Sequence, residues 1–177
     1  MSITIENTTS NIKHWHALYV NSRSEKKVMQ TLLSKSIEAY VPFVKTMRQW
    51  SDRKKMVEFP LINGYVFVNI SVLEIEKTLQ TKGIVNFVRQ SGKIAEIREA
   101  EINRLKQFVE LGYQIESEAS TSDLEVGKKI KITAGPLKNI EGFIINKLNS
   151  KYLLVQLESI GKSIKVKLPE DILLTIE

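Results

Sequence analysis

The sequence has no cysteine and only two histidines, His14 and His16. Without cysteine the chain cannot form a disulfide scaffold, a cysteine nucleophile or a thiolate metal site. The two histidines lie two residues apart, with no carboxylate pair or phosphate-binding loop nearby, so they offer little for catalysis. We therefore expect no catalytic residue, no metal and no cofactor, and we predict that the protein is not an enzyme.

Long hydrophobic runs are also absent. No apolar stretch approaches the roughly 20 residues that a transmembrane helix needs, and residues 1–12 are polar, without the hydrophobic centre of a signal peptide. The 177 residues and their 42% hydrophobic content suffice for one ordinary domain or two small ones. We expect a cytoplasmic monomer that does not contact membranes, with a disordered stretch over residues 1–12.

The chain carries a formal net charge of +6, and this surplus is confined to its first part. Residues 1–112 contain 17 lysines and arginines against 11 acidic residues, whereas residues 113–177 contain 9 of each. A localised basic surplus favours contact with a polyanion, of which nucleic acid is the usual one. The alternative is a merely well-solvated surface.

Residues 13–112 have the pattern of one domain. Alternating apolar residues, helical spacing and turn signals predict these elements: a strand at 15–21, a helix from 22, a strand at 39–44, a hairpin tip at 45–55 that returns through 56–59, a strand at 65–70, a helix at 72–82, strands at 85–89 and 93–97, and a helix at 99–110. Their order is that of a split βαβ, or ferredoxin-like, α+β domain. Ser22 and Glu25 are expected to form a capping box at the first helix.

The strand at 65–70 is apolar on both faces. Its side chains alternate between an aromatic and an aliphatic face in the order Tyr65, Val66, Phe67, Val68, Asn69, Ile70. Such a strand is either covered by structure on both sides or offers its second face to a partner. The alternation alone leaves both interpretations open.

Residues 113–123 are acidic and rich in serine and threonine, which predicts a linker. Residues 124–177 then contain short strands separated by turn signals, predicted at 128–133, 141–147, 152–157, 163–167 and 173–176. Several short strands in so short a segment predict a small β-barrel.

The start of this barrel resembles the KOW motif, in which a strand is followed by a Gly-Pro turn, a large apolar residue and a glycine. Gly135 permits a sharp turn and Pro136 fixes its φ angle. Leu137 is the large apolar residue, and Gly142 lets the backbone pass where a Cβ atom would clash. Asn139, where the family often has glycine, tolerates a positive φ, so we expect the turn to be kept.

Together, the motifs of both domains resemble the NusG/RfaH family of transcription elongation factors over almost the whole chain. The resemblance rests on the Trp-initiated strand at 15–19, a Glu-Lys-Lys helix start, the segments 64–68 and 83–89, and the KOW motif. Residues 48–55 are most similar to the specialised UpxY-type antiterminators, which act on selected operons such as polysaccharide loci. The resemblance implies a ferredoxin-like NGN domain followed by an SH3-like KOW β-barrel.

The resemblance also implies that the aromatic face of strand 65–70 docks on the clamp helices of RNA polymerase. The implied docking residues are Tyr19, Ile62, Tyr65 and Phe67. Exposed aromatic rings suit the centre of a protein interface because they bury much area with few rotatable bonds. A second, weaker polymerase contact is implied for Glu76, Lys77 and Thr78.

The basic hairpin is implied to face upstream DNA or the non-template strand. The implied nucleic-acid contacts are Arg23, Lys26, Lys27, Arg48, Trp50, Arg53, Lys54 and Lys55. Basic side chains attract phosphate, and an indole ring can stack on an unpaired base. The alternatives are a Trp50 ring folded over its own hairpin and basic residues that are only solvated.

The implied function is to bind polymerase across the DNA cleft and to suppress pausing and termination on selected operons. The implied partners of the KOW barrel are a ribosomal protein or the termination factor Rho. One alternative is a housekeeping NusG that acts genome-wide with Rho. Another is a ribosomal or RNA-binding KOW protein, which the balanced charge of residues 113–177 disfavours.

Overall fold

The computed structural model describes residues 11–49, 53–118, 127–147, 150–168 and 174–176. Its elements in chain order are β1 (His14–Val20), α1 (Glu25–Ser34), β2 (Glu38–Tyr40), β3 (Phe43–Gln49), β4 (Lys54–Pro60), β5 (Tyr65–Ile70), a 3₁₀ turn (Val72–Glu74), α2 (Ile75–Leu79), β6 (Ile84–Phe87), β7 (Arg89–Gln90), β8 (Lys93–Ile94), β9 (Glu96–Ile97), α3 (Glu99–Glu110), β10 (Ile115–Glu118), β11 (Lys129–Ile132), β12 (Glu141–Lys147), β13 (Ser150–Leu157), a second 3₁₀ turn (Glu158–Ile160), β14 (Lys162–Lys167) and β15 (Leu174–Ile176). No helix in these ranges is long and apolar enough to cross a membrane.

The chain divides into two compact units. The first spans Met1–Pro42 and Ile62–Ala100, and the second spans Phe43–Leu61 and Glu101–Glu177. The predicted domains, residues 13–112 and 124–177, divide the chain differently and stay a prediction.

The first unit is built on an antiparallel sheet with the strand order β2-β5-β1-β6, to which β9 adds by pairing with β1. This order, with α1 between the first two strands, confirms the predicted ferredoxin-like pattern. Leu18 and Val66 face each other across the two central strands and are fully buried. Val28 and Leu32, one turn apart on α1, are also buried, as the helical spacing of apolar residues predicts.

The predicted capping box at the first helix is wrong. The helix begins at Glu25 after Ser24, and Ser24 makes no side-chain capping bond. The Glu25 carboxylate instead accepts a hydrogen bond from the Gly64 N–H at 2.7 Å. A capping interaction does occur before α2, where the Ser71 N–H donates to the Glu74 carboxylate at 3.0 Å.

Other predicted elements also differ from the observed ones. The strands predicted at 85–89 and 93–97 are each divided into two short strands, and β7 and β8 form a separate two-stranded sheet, whereas β6 and β9 belong to the main sheet. The single strand predicted at 39–44 is two strands, β2 and β3, which belong to different sheets and are separated at Pro42. Proline lacks the N–H that a continuous ladder would need, which favours a break there. The helix predicted at 72–82 is shorter: a 3₁₀ turn leads into α2, which ends at Leu79, and Gly83 follows with a φ of 100°.

The second unit contains a hairpin, β3–β4, and a six-stranded antiparallel sheet with the order β10-β14-β13-β12-β11-β15. The predicted hairpin is confirmed over β3 and β4, and its predicted tip at residues 50–52 lies outside the described residues. The five strands predicted for the KOW region are all present as β11 to β15. Helix α3 spans Glu99–Glu110, the range that the sequence predicts.

The predicted linker is partly structured. Ile115–Glu118 forms β10, which pairs with β14 at the edge of the six-stranded sheet. Ile115, the one large apolar residue of this acidic segment, is 6% exposed and lies opposite Val166. Burial of this isoleucine next to a free strand edge favours pairing over a linker conformation.

Candidate polymerase-docking and nucleic-acid surfaces

One face of the first unit's sheet is lined with aromatic rings. The register places Tyr19 opposite Tyr65 and Ala17 opposite Phe67, and Phe67 also lies opposite Tyr40 of β2. Directly opposed residues of an antiparallel pair project to the same face. The sheet therefore brings together Tyr19, Tyr65 and Phe67, as the sequence predicts. We call β5 the docking strand.

Tyr19 and Tyr65 form a specific pair. Their ring centroids are 5.0 Å apart with an angle of 59° between the ring planes, and the Tyr65 hydroxyl donates to the Tyr19 hydroxyl at 3.3 Å. Burial, followed by the hydrogen bond and the charge of Tyr19, raises the pKa of Tyr65 well above its ordinary value. The Tyr65 hydroxyl thus stays protonated and keeps its hydrogen bond to Tyr19.

The expected exposure of the docking residues is wrong for three of the four. Tyr19 is 41% exposed, but Ile62, Tyr65 and Phe67 are only 4%, 7% and 1% exposed. Strand β5 is paired on both sides, and its aliphatic face is buried as well. Both faces of β5 are therefore covered by other parts of the protein, which is the first of the two interpretations that the sequence leaves open.

Two further aromatic residues of this face were missed by the sequence reasoning. Trp15 lies on the same face as Tyr19, four residues earlier on β1, and is 6% exposed. Tyr40 is half-buried beside Phe67. Period-two alternation along β1 could have assigned Trp15 to this face, whereas Tyr40 required the strand order.

The turn before the docking strand is held from two sides. The Gly64 N–H donates to the buried Glu25 carboxylate at 2.7 Å, and the Gly64 carbonyl accepts from the Val20 N–H at 2.9 Å. Gly64 has a φ of 78°, a conformation that glycine adopts without strain. Glu25 thus connects the start of α1 to the residue that precedes Tyr65, a function that the capping-box pattern did not predict.

The predicted second polymerase contact is only partly accessible. Glu76 and Lys77 are exposed, and the Lys77 ammonium donates to the Lys35 carbonyl at 3.0 Å. Thr78 is fully buried, and its hydroxyl donates to the Glu74 carbonyl at 2.7 Å. The expectation of a contact through Thr78 is therefore wrong, because its side chain is buried and its hydroxyl is bonded to the carbonyl of the preceding 3₁₀ turn.

Glu74 has a perturbed ionisation just before this helix. Its partial burial acts to raise its pKa, but hydrogen bonds from Ser71 and the charge of Lys13, 3.3 Å away, outweigh burial. The pKa of Glu74 therefore lies below its ordinary value.

The predicted nucleic-acid residues lie on both units. Arg23, Lys26 and Lys27 are exposed at the start of α1 in the first unit. Arg53, Lys54 and Lys55 are exposed at or near the start of β4 in the second unit. The Arg48 side chain and Trp50 lie outside the described part of the structure.

The KOW turn has the backbone that the motif predicts. Gly135 has a φ of 79° and Asn139 a φ of 70°, and Leu137 is fully buried. Pro136 follows Gly135, and its carbonyl accepts a hydrogen bond from the Gln107 amide of α3. A Cβ atom at Gly142 would lie 2.5 Å from the Leu154 carbonyl oxygen, which confirms the predicted close approach of the backbone.

Within the described residues, no group of three or more histidine, aspartate or glutamate side chains is placed to hold a metal ion.

The fold and these surfaces define a class: an α+β NGN-type domain followed by a mostly β region that begins with a KOW turn. The profile of the family described as "NusG: Transcription termination factor nusG" matches residues 13–106. The chain belongs to the NusG family.

A solved structure with the same fold is that of NusG from Thermotoga maritima, described as "Domain interaction in Thermotoga maritima NusG". It is 19% identical, has a TM-score of 0.52, and the alignment covers 88% of this chain and 93% of that one. No curated protein matches the chain significantly.

Members of the NusG family are transcription factors rather than enzymes, and they bind RNA polymerase. Membership of the family indicates a role in transcription elongation or antitermination.

Proposed function

We propose that this protein is a specialised antiterminator of the UpxY type. It acts in the cytoplasm, binds RNA polymerase across the DNA cleft, and suppresses pausing and termination on selected operons such as polysaccharide loci. The similarity of residues 48–55 to these antiterminators supports the specialised assignment. The paired tyrosines on the sheet of the family domain are the observation that carries polymerase docking.

The proposed docking surface is the aromatic face of β1 and β5, and its target is the clamp helices of polymerase. Tyr19 makes the first contact because it is the exposed member. Tyr65, Ile62 and Phe67 form the layer beneath it, and a partner reaches them only by displacing what covers them. Tyr65 supports this role because its hydroxyl orients that of Tyr19.

A weaker contact on the opposite side of the cleft is proposed for Glu76 and Lys77, without Thr78. Both side chains are exposed at α2. Polar contacts of this kind at an interface rim adjust orientation and association rate more than affinity.

The hairpin is proposed to contact upstream or non-template DNA. Exposure of Arg53, Lys54 and Lys55 supports phosphate contact, to which Arg48 would add a charge and Trp50 a stacking ring. Arg23, Lys26 and Lys27 are proposed as a second set of phosphate contacts.

The proposed mechanism requires no catalytic group. A ligand that binds the closed polymerase clamp more tightly than the open one shifts the population away from the paused state by that difference in affinity. The six-stranded sheet is proposed to recruit a ribosomal protein or Rho, and a weakened Rho contact is expected of a specialised antiterminator.

Polymerase binding is tested with the exposed tyrosine rather than with the buried residues, whose replacement would disturb folding. Tyr19→Ala is expected to weaken binding to core polymerase by about 1–2 kcal/mol, or roughly 5- to 30-fold, as for an interface aromatic residue. Leu33→Ala is the matched control, because Leu33 is 49% exposed on α1. Equal affinities of Tyr19→Ala and the parent would refute docking through this face.

Specialisation is tested by sequencing polymerase-bound DNA and RNA with and without the protein. Enrichment on one or a few operons is expected. Occupancy across all transcribed genes would instead favour the housekeeping alternative.

A further inference from the structure

The β3–β4 hairpin exposes two methionines that lie directly opposite each other. Met47 and Met56 are paired in the register and are 57% and 54% exposed. Methionine belongs to the residue types that are most often buried. Two of them side by side in solvent form an apolar patch that the fold itself does not use.

The other face of the same hairpin explains why these methionines are not needed for folding. Val44 is buried, while Val57 and Phe59 are half-buried, and these three residues alternate with the methionine positions along the strands. The hairpin therefore already has an apolar face for packing. The exposed methionine pair lies on the opposite face of the hairpin.

The methionine pair has a lysine on either side of it along the hairpin. On the same face the neighbouring pairs are Lys45 with Glu58 and Gln49 with Lys54. The exposed charged side chains of this face are Lys45, Lys54 and Glu58, whereas Lys55 lies on the other face of the hairpin. An apolar pair between two exposed lysines is complementary to nucleic acid, in which apolar base faces lie between phosphates.

We infer that the Met47–Met56 pair is an apolar wedge that packs against the faces of unpaired bases while the flanking cations hold the neighbouring phosphates. This inference rests on the proposed function of the hairpin and names the partner of its methionine face. The unbranched thioether side chain adapts to irregular surfaces, and methionine is among the apolar residues that proteins insert between base steps. In a closed duplex the base faces are stacked, so the wedge distinguishes an open bubble from paired DNA.

The test measures binding of the full chain to two fluorescent DNAs over a series of salt concentrations. One DNA is a duplex with a central mismatched bubble, and the other is the same duplex fully paired. The variants are Met47→Gln with Met56→Gln, and Lys54→Gln with Lys55→Gln. Leu33→Gln is the control for loss of an exposed apolar side chain elsewhere, and circular dichroism verifies that each variant is folded.

The methionine double variant is expected to weaken binding to the bubble about fivefold, which is the lower end of the effect of removing an aromatic ring on which a base stacks. Its affinity for paired DNA and its salt dependence remain unchanged, because no charge is removed. The lysine double variant weakens binding to both DNAs and reduces the salt dependence.

Unchanged bubble affinity in the methionine variant, with weakened binding in the lysine variant, would overturn the wedge and leave the proposed function of the hairpin intact. If neither variant changes DNA binding, both the wedge and the hairpin's proposed function are wrong. A methionine variant that loses affinity for polymerase without DNA, and none for the bubble, would assign the patch to a protein partner and overturn the inference.

Discussion

Replacement of Glu25 by alanine removes the acceptor that holds the turn before the docking strand. The Gly64 N–H donates to this carboxylate at 2.7 Å, and Glu25 is 4% exposed. A hydrogen bond to a charged group contributes about 1.5–3 kcal/mol to folding. We expect Glu25→Ala to lower the free energy of unfolding by about that amount, because the Gly64 N–H loses this acceptor.

The matched variant is Glu25→Gln, which keeps an oxygen acceptor at nearly the same position. A neutral hydrogen bond contributes about 0.5–1.5 kcal/mol, so the glutamine variant should recover about half of the loss. With a urea m-value of about 2 kcal/mol/M, a loss of about 2 kcal/mol shifts the unfolding midpoint by about 1 M.

The assay is urea unfolding followed by the fluorescence of Trp15, which is 6% exposed in the same unit as Glu25. The chain has two tryptophans, so all proteins carry Trp50→Phe to leave a single reporter. The reasoning is refuted if Glu25→Ala unfolds within about 0.5 kcal/mol of the parent, the range of ordinary surface substitutions. Equal losses in the alanine and glutamine variants would show that the hydrogen bond is not the cause.

Three further predictions concern the KOW region and two titrating groups. Gly142→Ala places a Cβ atom 2.5 Å from a carbonyl oxygen and should lower the free energy of unfolding in urea by more than about 2 kcal/mol. In the matched variant Gly135→Ala the Cβ atom meets no atom within 4 Å, so the loss should be about 1–2 kcal/mol, for the positive φ alone. Equal losses in the two variants would contradict the close approach at Gly142. Because the pKa of Glu74 is lowered in the folded state, the ionised Glu74 stabilises the protein above the ordinary carboxyl pKa, and this stabilisation is lost as pH falls through the folded-state pKa. Glu74→Gln should therefore be less stable than the parent by less than about 1 kcal/mol at neutral pH, and equally stable in strong acid. Because the pKa of Tyr65 is raised in the folded state, the free energy of unfolding should decrease as pH rises above about 10, and ultraviolet titration should show one tyrosine that ionises at a higher pH than the others. Tyr19→Phe should lower the pKa of Tyr65 but leave it above the ordinary value, since burial is the larger cause of the shift. An unchanged titration of Tyr65 in this variant would contradict the pairing.

Local patterns in the sequence predict much of the fold. Helix α3 is predicted to the residue, because its apolar positions recur at helical spacing between clear boundaries. The KOW turn is predicted at Gly135, Asn139 and Gly142, because each position needs a backbone conformation or a close approach that few residues allow.

Several of the errors come from contacts between residues that are distant in the chain. Glu25 matches a capping box locally, but the acceptor that Gly64 needs is 39 residues away. The local sequence around Ile115 predicts a linker, and only the pairing of this segment with the edge of β14 shows that it forms a strand. The burial of Phe67 likewise depends on the strands paired on both sides of β5 and on what covers its face.

The candidate site was predictable in its residue types and strand, but not in its accessibility. Alternation along β5 places Tyr65 and Phe67 on one face, and the register confirms Tyr19 as their neighbour. Only Tyr19 is substantially exposed. Exposure of a side chain is decided by packing over the strand, which period-two alternation does not encode.

Photocrosslinking from position 19 is the most direct test of polymerase docking. A photoreactive phenylalanine analogue replaces Tyr19 in the full chain, elongation complexes are irradiated, and the attached peptides are identified by mass spectrometry. The docking proposal predicts an adduct with the clamp helices of polymerase and none from the same analogue at Leu33. Adducts that map only to other parts of polymerase, or no adduct in complexes that contain the bound protein, would contradict it.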